Sequence, residues 1–393
     1  MKKTIKDYEL NNKKVLIRCD FNVPIKEGKI LDDNRIVESL NTINYALDNN
    51  AKIILFSHLG RVKEESDKEK NSLRLVSERL SVLLNRPVTF ISTTTGKELE
   101  EKVAAMNIGD VILVENTRFE DVPNKRESKN DLELGKYWAS LGDIFVNDAF
   151  GTIHRAHASN VGIAANIPSC VGFLVEKELT ELSILENPEH PFVVILGGAK
   201  VADKIPVIEN LVSIADKILI GGGMSYTFQE ALGKNIGQSL LDTESIDFCK
   251  TVMESYSDKI VLPTDVVVAK EFSNDVPNRI ASVNDIYDDE QGLDIGPETI
   301  KLFNSILDTA KVVFWNGPLG VYEMSNYIKG TKEVLTHLTE INAKSILGGG
   351  DVVAASTNLG LKDKVTHAST GGGATLEYME GKVLPGAASI NDK

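Results

Sequence analysis

Apolar residues along this chain gather in short, nearly continuous runs, separated by longer stretches with helical spacing. Val15–Ile17, Ile53–Phe56, 111–114 and 144–147 are such runs in the first half. Each is shorter than an ordinary helix and ends at polar or glycine residues, so each predicts a strand. Between them, SLRLVSERLSVLL puts Leu73, Val76, Leu80 and Leu84 on one helical face, with Ser72 as the expected N-cap. The second half repeats the rhythm. FVVILGG, KILIGGG, KIVLP, KVVFWNGP and KSILGGG predict strands, and KIPVIENLVSIAD and PETIKLFNSILD predict helices between them. Runs apolar on both faces need cover on both faces, which implies parallel strands sandwiched by helices. The pattern predicts two α/β domains, each with a mostly parallel sheet. Their boundary is expected between Asn166 and Pro191, where GFLVEKELTELSILENPEHP reads equally as a connecting helix or as one more packed helix.

Composition narrows the class. At 393 residues the chain exceeds one ordinary core. No apolar run reaches membrane-spanning length, and MKKTIKDYEL lacks the apolar segment of a signal peptide. Three widely spaced cysteines, Cys19, Cys170 and Cys249, suggest neither a disulfide framework nor a zinc site, and read as core residues of a cytoplasmic protein. The net charge of −14 argues against a general nucleic-acid binder but leaves room for a local cationic cleft.

The chemistry collects where predicted strands end, the place where open parallel sheets bind ligands. The first half offers Arg18, Asp20 and Asn22, then Ser57, His58, Gly60 and Arg61, then Glu115, Asn116 and Arg118, then Asn147, Asp148, His154 and Arg155. Taken singly, each reads as a turn residue or surface charge. Converging, the arginines describe a pocket for carboxylate or phosphate, which guanidinium groups bind bidentately. The second half offers three glycine triplets, at 221–223, 348–350 and 371–373, with Lys200, Lys204, Asn316 and Asp351. Glycine lets phosphate approach backbone N–H groups. Neither the dinucleotide fingerprint, the P-loop nor the protein-kinase HRD signature is present.

Twelve segments then carry a resemblance. RCDFNVP, DDNRI, SHLGR, VENTRFE, NDAFGTIHRAHAS, GFLVEKEL, LGGAKVADKI, GGGMSYTF, LDIGPETI, WNGPLGVYE, GGGDVVAA and STGGGATLEYMEGKVLPG run in order from Arg18 to Gly386, and together resemble the phosphoglycerate kinase family. The resemblance implies two Rossmann-like three-layer αβα domains with mostly parallel sheets, joined by a hinge helix. It implies a substrate domain over 1–168, a connector over 169–190, a nucleotide domain over 191–375, and a tail, 376–393, that returns to the first domain. The implied reaction is reversible phosphoryl transfer from 1,3-bisphosphoglycerate to Mg-ADP, giving 3-phosphoglycerate and Mg-ATP. Small-molecule substrates are then the expected partners, with no nucleic acid and no membrane, and the family is usually monomeric.

Residue by residue, the resemblance implies a substrate pocket of Asp20, Phe21, Asn22, Arg35, His58, Leu59, Gly60, Arg61, Arg118 and Arg155. It implies a nucleotide site of Lys204, Gly222, Gly292, Asn316, Glu323, Gly349, Gly350, Asp351 and Val352, with Asp351 towards Mg2+. Arg35, Lys200, Gly350 and Gly373 would serve the transferring phosphoryl group, and Gly371 to Gly373 would offer it N–H groups. Such a transfer asks for cations and positioning, and neither the carboxylate nor the phosphate nucleophile needs a general base. Three departures from the family pattern stand out: Val62 and Leu75 replace prolines, and Val352 replaces the usual serine or threonine after GGGD. The last removes a hydroxyl expected near the nucleotide phosphates. A silent scaffold would have lost charged site residues, and none is lost. A nicotinamide dehydrogenase would carry the absent fingerprint.

Overall fold

The computed structural model describes residues 2–393. The chain divides into two compact units, 2–180 with 383–393, and 181–382.

In the first unit the strands are β1 (Lys14–Cys19), β2 (Lys52–Phe56), β3 (Thr89–Ile91), β4 (Val111–Val114), β5 (Ile144–Asp148) and β6 (Ser169–Val171). They lie in the order β3-β4-β2-β1-β5-β6, all parallel. Every residue of β4 and β5 is buried, as a strand covered on both faces requires. The main core joins Val15, Ile17, Ile53, Leu55, Leu113 and Val146 of the sheet to helix residues such as Ile36, Ile43, Val76 and Leu80. β1 lies between β2 and β5, so the chain reverses direction across the sheet there. The carboxyl ends of β1 and β5 therefore flank a switch point, where an open α/β sheet leaves a crevice.

The second unit repeats the plan. Its strands are β7 (Phe192–Leu196), β8 (Lys217–Ile220), β9 (Ile260–Val261), β10 (Asp265–Ala269), β11 (Asn278–Ser282), β12 (Gln291–Ile295), β13 (Val312–Asn316), β14 (Lys344–Gly348) and β15 (His367–Ala368). The parallel sheet runs β9-β8-β7-β13-β14-β15, with its switch point between β7 and β13. Here a Cβ on Gly197 would collide with the Pro318 carbonyl, so glycine is required where the two strand ends meet. A separate antiparallel sheet, β11-β10-β12, was not expected from the sequence.

Several boundaries differ from expectation. The helix over the serine-rich stretch runs Arg74–Leu84, and Leu73, not Ser72, precedes it. The Ser72 hydroxyl instead donates to Glu115 Oε2 at 2.6 Å. Ser169–Val171, assigned to the connector, pairs as edge strand β6. The division between units falls inside the helix Phe173–Ser183. Residues 376–382 stay with the second unit, because Asn210 Nδ2 donates to the Met379 carbonyl at 2.8 Å and holds the helix Gly373–Met379 there. The returning tail begins at Val383, where the Gly386 N–H donates to Ile153 O at 2.8 Å and Asn391 accepts from the Ser169 N–H at 2.9 Å.

Candidate active site

In the first unit, strand ends bring several expected residues together. Asp20 follows β1 and is almost fully buried, with an ion pair to Arg35 on the helix Asn34–Asp48. Burial works against its charge, but the neighbouring His58, Arg35 and Arg18, with the Asn22 N–H, hold its carboxyl below the ordinary value. Gly151, after β5, leaves room for this pair: a Cβ there would stand 2.6 Å from Asp20 Oδ2. Asn22 Oδ1 accepts from the Gly60 N–H at 2.8 Å, which ties the β1 loop to the β2 loop. His58 is buried, with Nδ1 3.4 Å from Arg18 Nη2. Burial and the facing arginines push it well below its ordinary value, so it enters the site as a neutral imidazole and not as a cation. Arg118 is half-buried in the turn Thr117–Asp121, and its Nε has no hydrogen-bond partner among the described residues. Arg61 and Arg155 are exposed.

Two expected residues cannot contribute side chains. Phe21 and Leu59 are buried in the core of the first unit. Phe21 offers backbone, with its N–H on Ser57 Oγ at 2.8 Å, and the Leu59 carbonyl accepts from Asn116 Nδ2 at 2.7 Å.

The sequence offered Arg18 at the strand end but not the groups packed around it, Glu127, Ser159 and His157. Arg18 is fully buried on β1, with Nε on Ser159 Oγ at 2.8 Å and Nη2 4.0 Å from Glu127. Glu127 also accepts from the Ser159 N–H at 2.9 Å. His157 lies 3.8 Å from Glu127, and burial next to Arg18, Arg118 and Arg155 pushes it down to about 3. An arginine inside an apolar strand must have a partner. That was the available signal, but the partner lies over a hundred residues away.

In the second unit a cavity of about 380 Å³ opens at the switch point. Four expected residues, Gly222, Gly292, Glu323 and Asp351, line it, together with Leu319, Phe272 and Asp294. Gly292 is needed because any Cβ there would overlap the Tyr226 hydroxyl. Beside the cavity lies a polar chain. Lys204 Nζ donates to Asn316 Oδ1, and Asn316 Nδ2 donates to the Gly348 carbonyl at 2.6 Å. Burial lowers the Lys204 ammonium below its usual value, against the pull of Asp203, Asp351 and Glu380. Gly349 has φ +95°, and a Cβ on it would stand 2.5 Å from Asn316 Nδ2, so both conformation and space demand glycine.

The helix Gly350–Asn358 starts here, and its first backbone bond runs from the Val353 N–H to Gly349 O at 3.3 Å. The N–H groups of Gly350, Asp351 and Val352 precede it and remain open to an anion. The Val352 side chain is fully buried in the core with Val334, Leu335 and Leu347. The expectation that a side chain at 352 faces nucleotide phosphates is therefore corrected: only its N–H can. Lys200 is exposed between β7 and the helix Ile205–Leu211. Gly373 begins the helix Gly373–Met379, and the Gly371 N–H before it donates to Ser369 Oγ at 3.1 Å. Lys200, Gly371 and Gly373 do not line the cavity.

Comparison with known proteins gives one answer throughout. The family model described as phosphoglycerate kinase matches residues 5–382. The phosphoglycerate kinase of Enterococcus faecalis is 61% identical over 395 residues, and that of Listeria innocua 59% over 396, each covering all of both chains. Among solved structures, the Coxiella burnetii phosphoglycerate kinase superposes with a TM-score of 0.91 at 39% identity, covering 99% of this chain and 98% of that one. The Pyrococcus horikoshii enzyme gives 0.84 at 31% identity, covering 98% of each. A match over nearly the whole length, at such identity and on the same two-sheet fold, makes this chain a member of the phosphoglycerate kinase family.

Proposed function

We propose that the protein catalyses reversible phosphoryl transfer between 1,3-bisphosphoglycerate and Mg-ADP, giving 3-phosphoglycerate and Mg-ATP. One observation carries this reading. Arginines gather at the switch point of the first sheet, around Asp20 and His58, and a glycine-lined cavity opens at that of the second, as a phosphorylated acid and a nucleotide require.

In the first unit, Asp20 and Asn22 hold the hydroxyl and carboxyl end of 3-phosphoglycerate. Arg35, Arg61, Arg118 and Arg155 meet its anionic groups, and neutral His58 contributes a hydrogen bond. Phe21, Leu59 and Gly60 shape the pocket through backbone. In the second unit, Glu323 holds the ribose, Gly222 and Gly292 admit the base, and Lys204 with the N–H groups of Gly350, Asp351 and Val352 takes the phosphates. Asn316 and Gly349 keep Lys204 and that helix start in register. Arg35, Lys200, Gly350 and Gly373 stabilise the phosphoryl group in flight, whose charge lies on three oxygens.

Among the described residues no cluster of three or more His, Cys, Asp or Glu could hold a metal alone. Asp351 is an exposed carboxylate on the cavity wall. One carboxylate plus phosphate oxygens and water suits Mg2+, so these residues fit a magnesium carried in by the nucleotide. Bound there, magnesium would neutralise phosphate charge.

For transfer the two ligands must approach and water must leave, because an acyl phosphate hydrolyses. Closure through the 169–191 connector supplies this step. Small-angle scattering tests it: the complex with both ligands is more compact than the free protein, and unchanged dimensions reject closure. A coupled assay tests the reaction with 3-phosphoglycerate, Mg-ATP and a downstream dehydrogenase; no ATP-dependent signal rejects it. No helix among the described residues is long and apolar enough to cross a membrane. The protein acts as a cytoplasmic monomer on small molecules.

A further inference from the structure

Asp294 sits on β12 with its side chain buried, and it lines the cavity of the second unit. Its Oδ1 accepts from the Ile295 N–H at 2.9 Å, and its Oδ2 from the Gly330 N–H at 2.8 Å. Gly330 is the second residue of the helix Lys329–Leu338, so its N–H has no acceptor within that helix. The carboxyl also fills the space where Gly320 and Gly330 would otherwise carry Cβ atoms. Gly320 belongs to the cavity-lining stretch 318–323, which includes Glu323. One buried carboxylate thus fastens the helix start to its strand, and Thr331 of that helix start accepts from the Leu319 N–H at 3.0 Å through Oγ1, which ties the cavity wall to it.

We propose that Asp294 is a positioning residue for the nucleotide: ionised, it fixes the 318–323 wall, and protonated, it releases that wall and weakens nucleotide binding. This rests on the reading of the cavity as the nucleotide site. Two N–H donors face the carboxyl. A carboxylate satisfies both, whereas a carboxylic acid must turn one oxygen into a donor and give up one bond.

Burial pushes Asp294 up to about 7, against the two N–H bonds. The charged groups facing it are Glu333 and Lys329 of the same helix, themselves paired at 3.5 Å. Glu333 raises it and Lys329 lowers it. Tyr226 also faces it, and burial keeps that phenol protonated. Asp265, on the paired strand β10, turns to the N–H groups of Glu298 and Thr299. The exchange therefore falls in the neutral range.

The test is Mg-ADP affinity by titration calorimetry at pH 6, 7 and 8, for wild type and Asp294→Asn. The amide, like the acid, has one acceptor oxygen. We expect the variant to bind about fivefold more weakly at pH 8 and the ratio of the two affinities to approach one at pH 6. Taking the ratio cancels the proton uptake of ADP itself. A ratio independent of pH overturns the proposal. If Asp294→Asn does not fold, wild-type affinity for adenosine, which carries no phosphate, must fall between pH 8 and pH 6, and a flat profile overturns the proposal. If wild type binds neither probe at any pH, the nucleotide reading of the cavity fails, and this inference with it.

Discussion

Val352→Thr separates the two possible roles of position 352. Valine and threonine have nearly the same shape, so the substitution opens no cavity. The valine side chain is fully buried although Gly350 and Asp351 beside it are exposed, so the new hydroxyl enters the core among Val334, Leu335 and Leu347. An unpaired hydroxyl buried there costs about 1–3 kcal/mol. Threonine in a helix can bond a carbonyl three or four residues back, which recovers about 1 kcal/mol. The net expectation is a loss of up to about 2 kcal/mol. For a unit of this size that lowers the melting temperature by up to about 8 °C. The Michaelis constant for Mg-ADP stays the same, since the N–H at 352 is unaltered. Differential scanning calorimetry and initial rates check both halves. A variant with unchanged stability and clearly tighter Mg-ADP would refute the reasoning, because the hydroxyl would then be reaching the phosphates.

Three further outcomes follow from the geometry. Gly292→Ala drives a Cβ into the Tyr226 hydroxyl, so the Michaelis constant for nucleotide rises more than tenfold while that for 3-phosphoglycerate holds, as initial rates with each substrate varied in turn will show. Arg35→Ala leaves Asp20 buried without its ion-pair partner and removes a cation from the phosphoryl group; turnover falls by about 10³-fold, and calorimetry shows weakened 3-phosphoglycerate binding with Mg-ADP binding intact. His157, held at about 3, binds its proton more readily unfolded than folded; it thus supports stability above its unfolded value near 6.5 and withdraws that support as pH falls toward 3. His157→Gln should flatten the stability-versus-pH slope in that window, measured by urea unfolding, and an unchanged slope would contradict it.

Much of this architecture was legible because parallel strands covered on both faces must be apolar throughout. Val111–Val114 and Ile144–Asp148 could be read for that reason. The edge strands Thr89–Ile91 and His367–Ala368 are too short to stand out. The antiparallel sheet was hidden because Val266–Val268 looks like another buried run, and its partners at 278–282 and 291–295 carry few apolar residues. Within the site, strand-end residues such as Asp20, His58 and Asp351 were accessible through the rule on sheet ends. Their side-chain directions were not. Phe21, Leu59 and Val352 sit in functional segments but turn inward, and only the phase of the backbone decides that. Charge state was also hidden. The neutrality of His58 comes from burial and from Arg18 and Arg118, which tertiary folding brings beside it.

The claim that the two crevices exchange a phosphoryl group, and protect it from water, is tested most directly by phosphorus NMR. The protein is mixed with Mg-ADP and 1,3-bisphosphoglycerate, the direction favoured by the higher transfer potential of an acyl phosphate, and followed over time. The account predicts loss of the acyl-phosphate signal, matched by the γ-phosphate of ATP and by 3-phosphoglycerate, with no parallel growth of inorganic phosphate beyond that of the enzyme-free control. Inorganic phosphate alone, or no change, would contradict it.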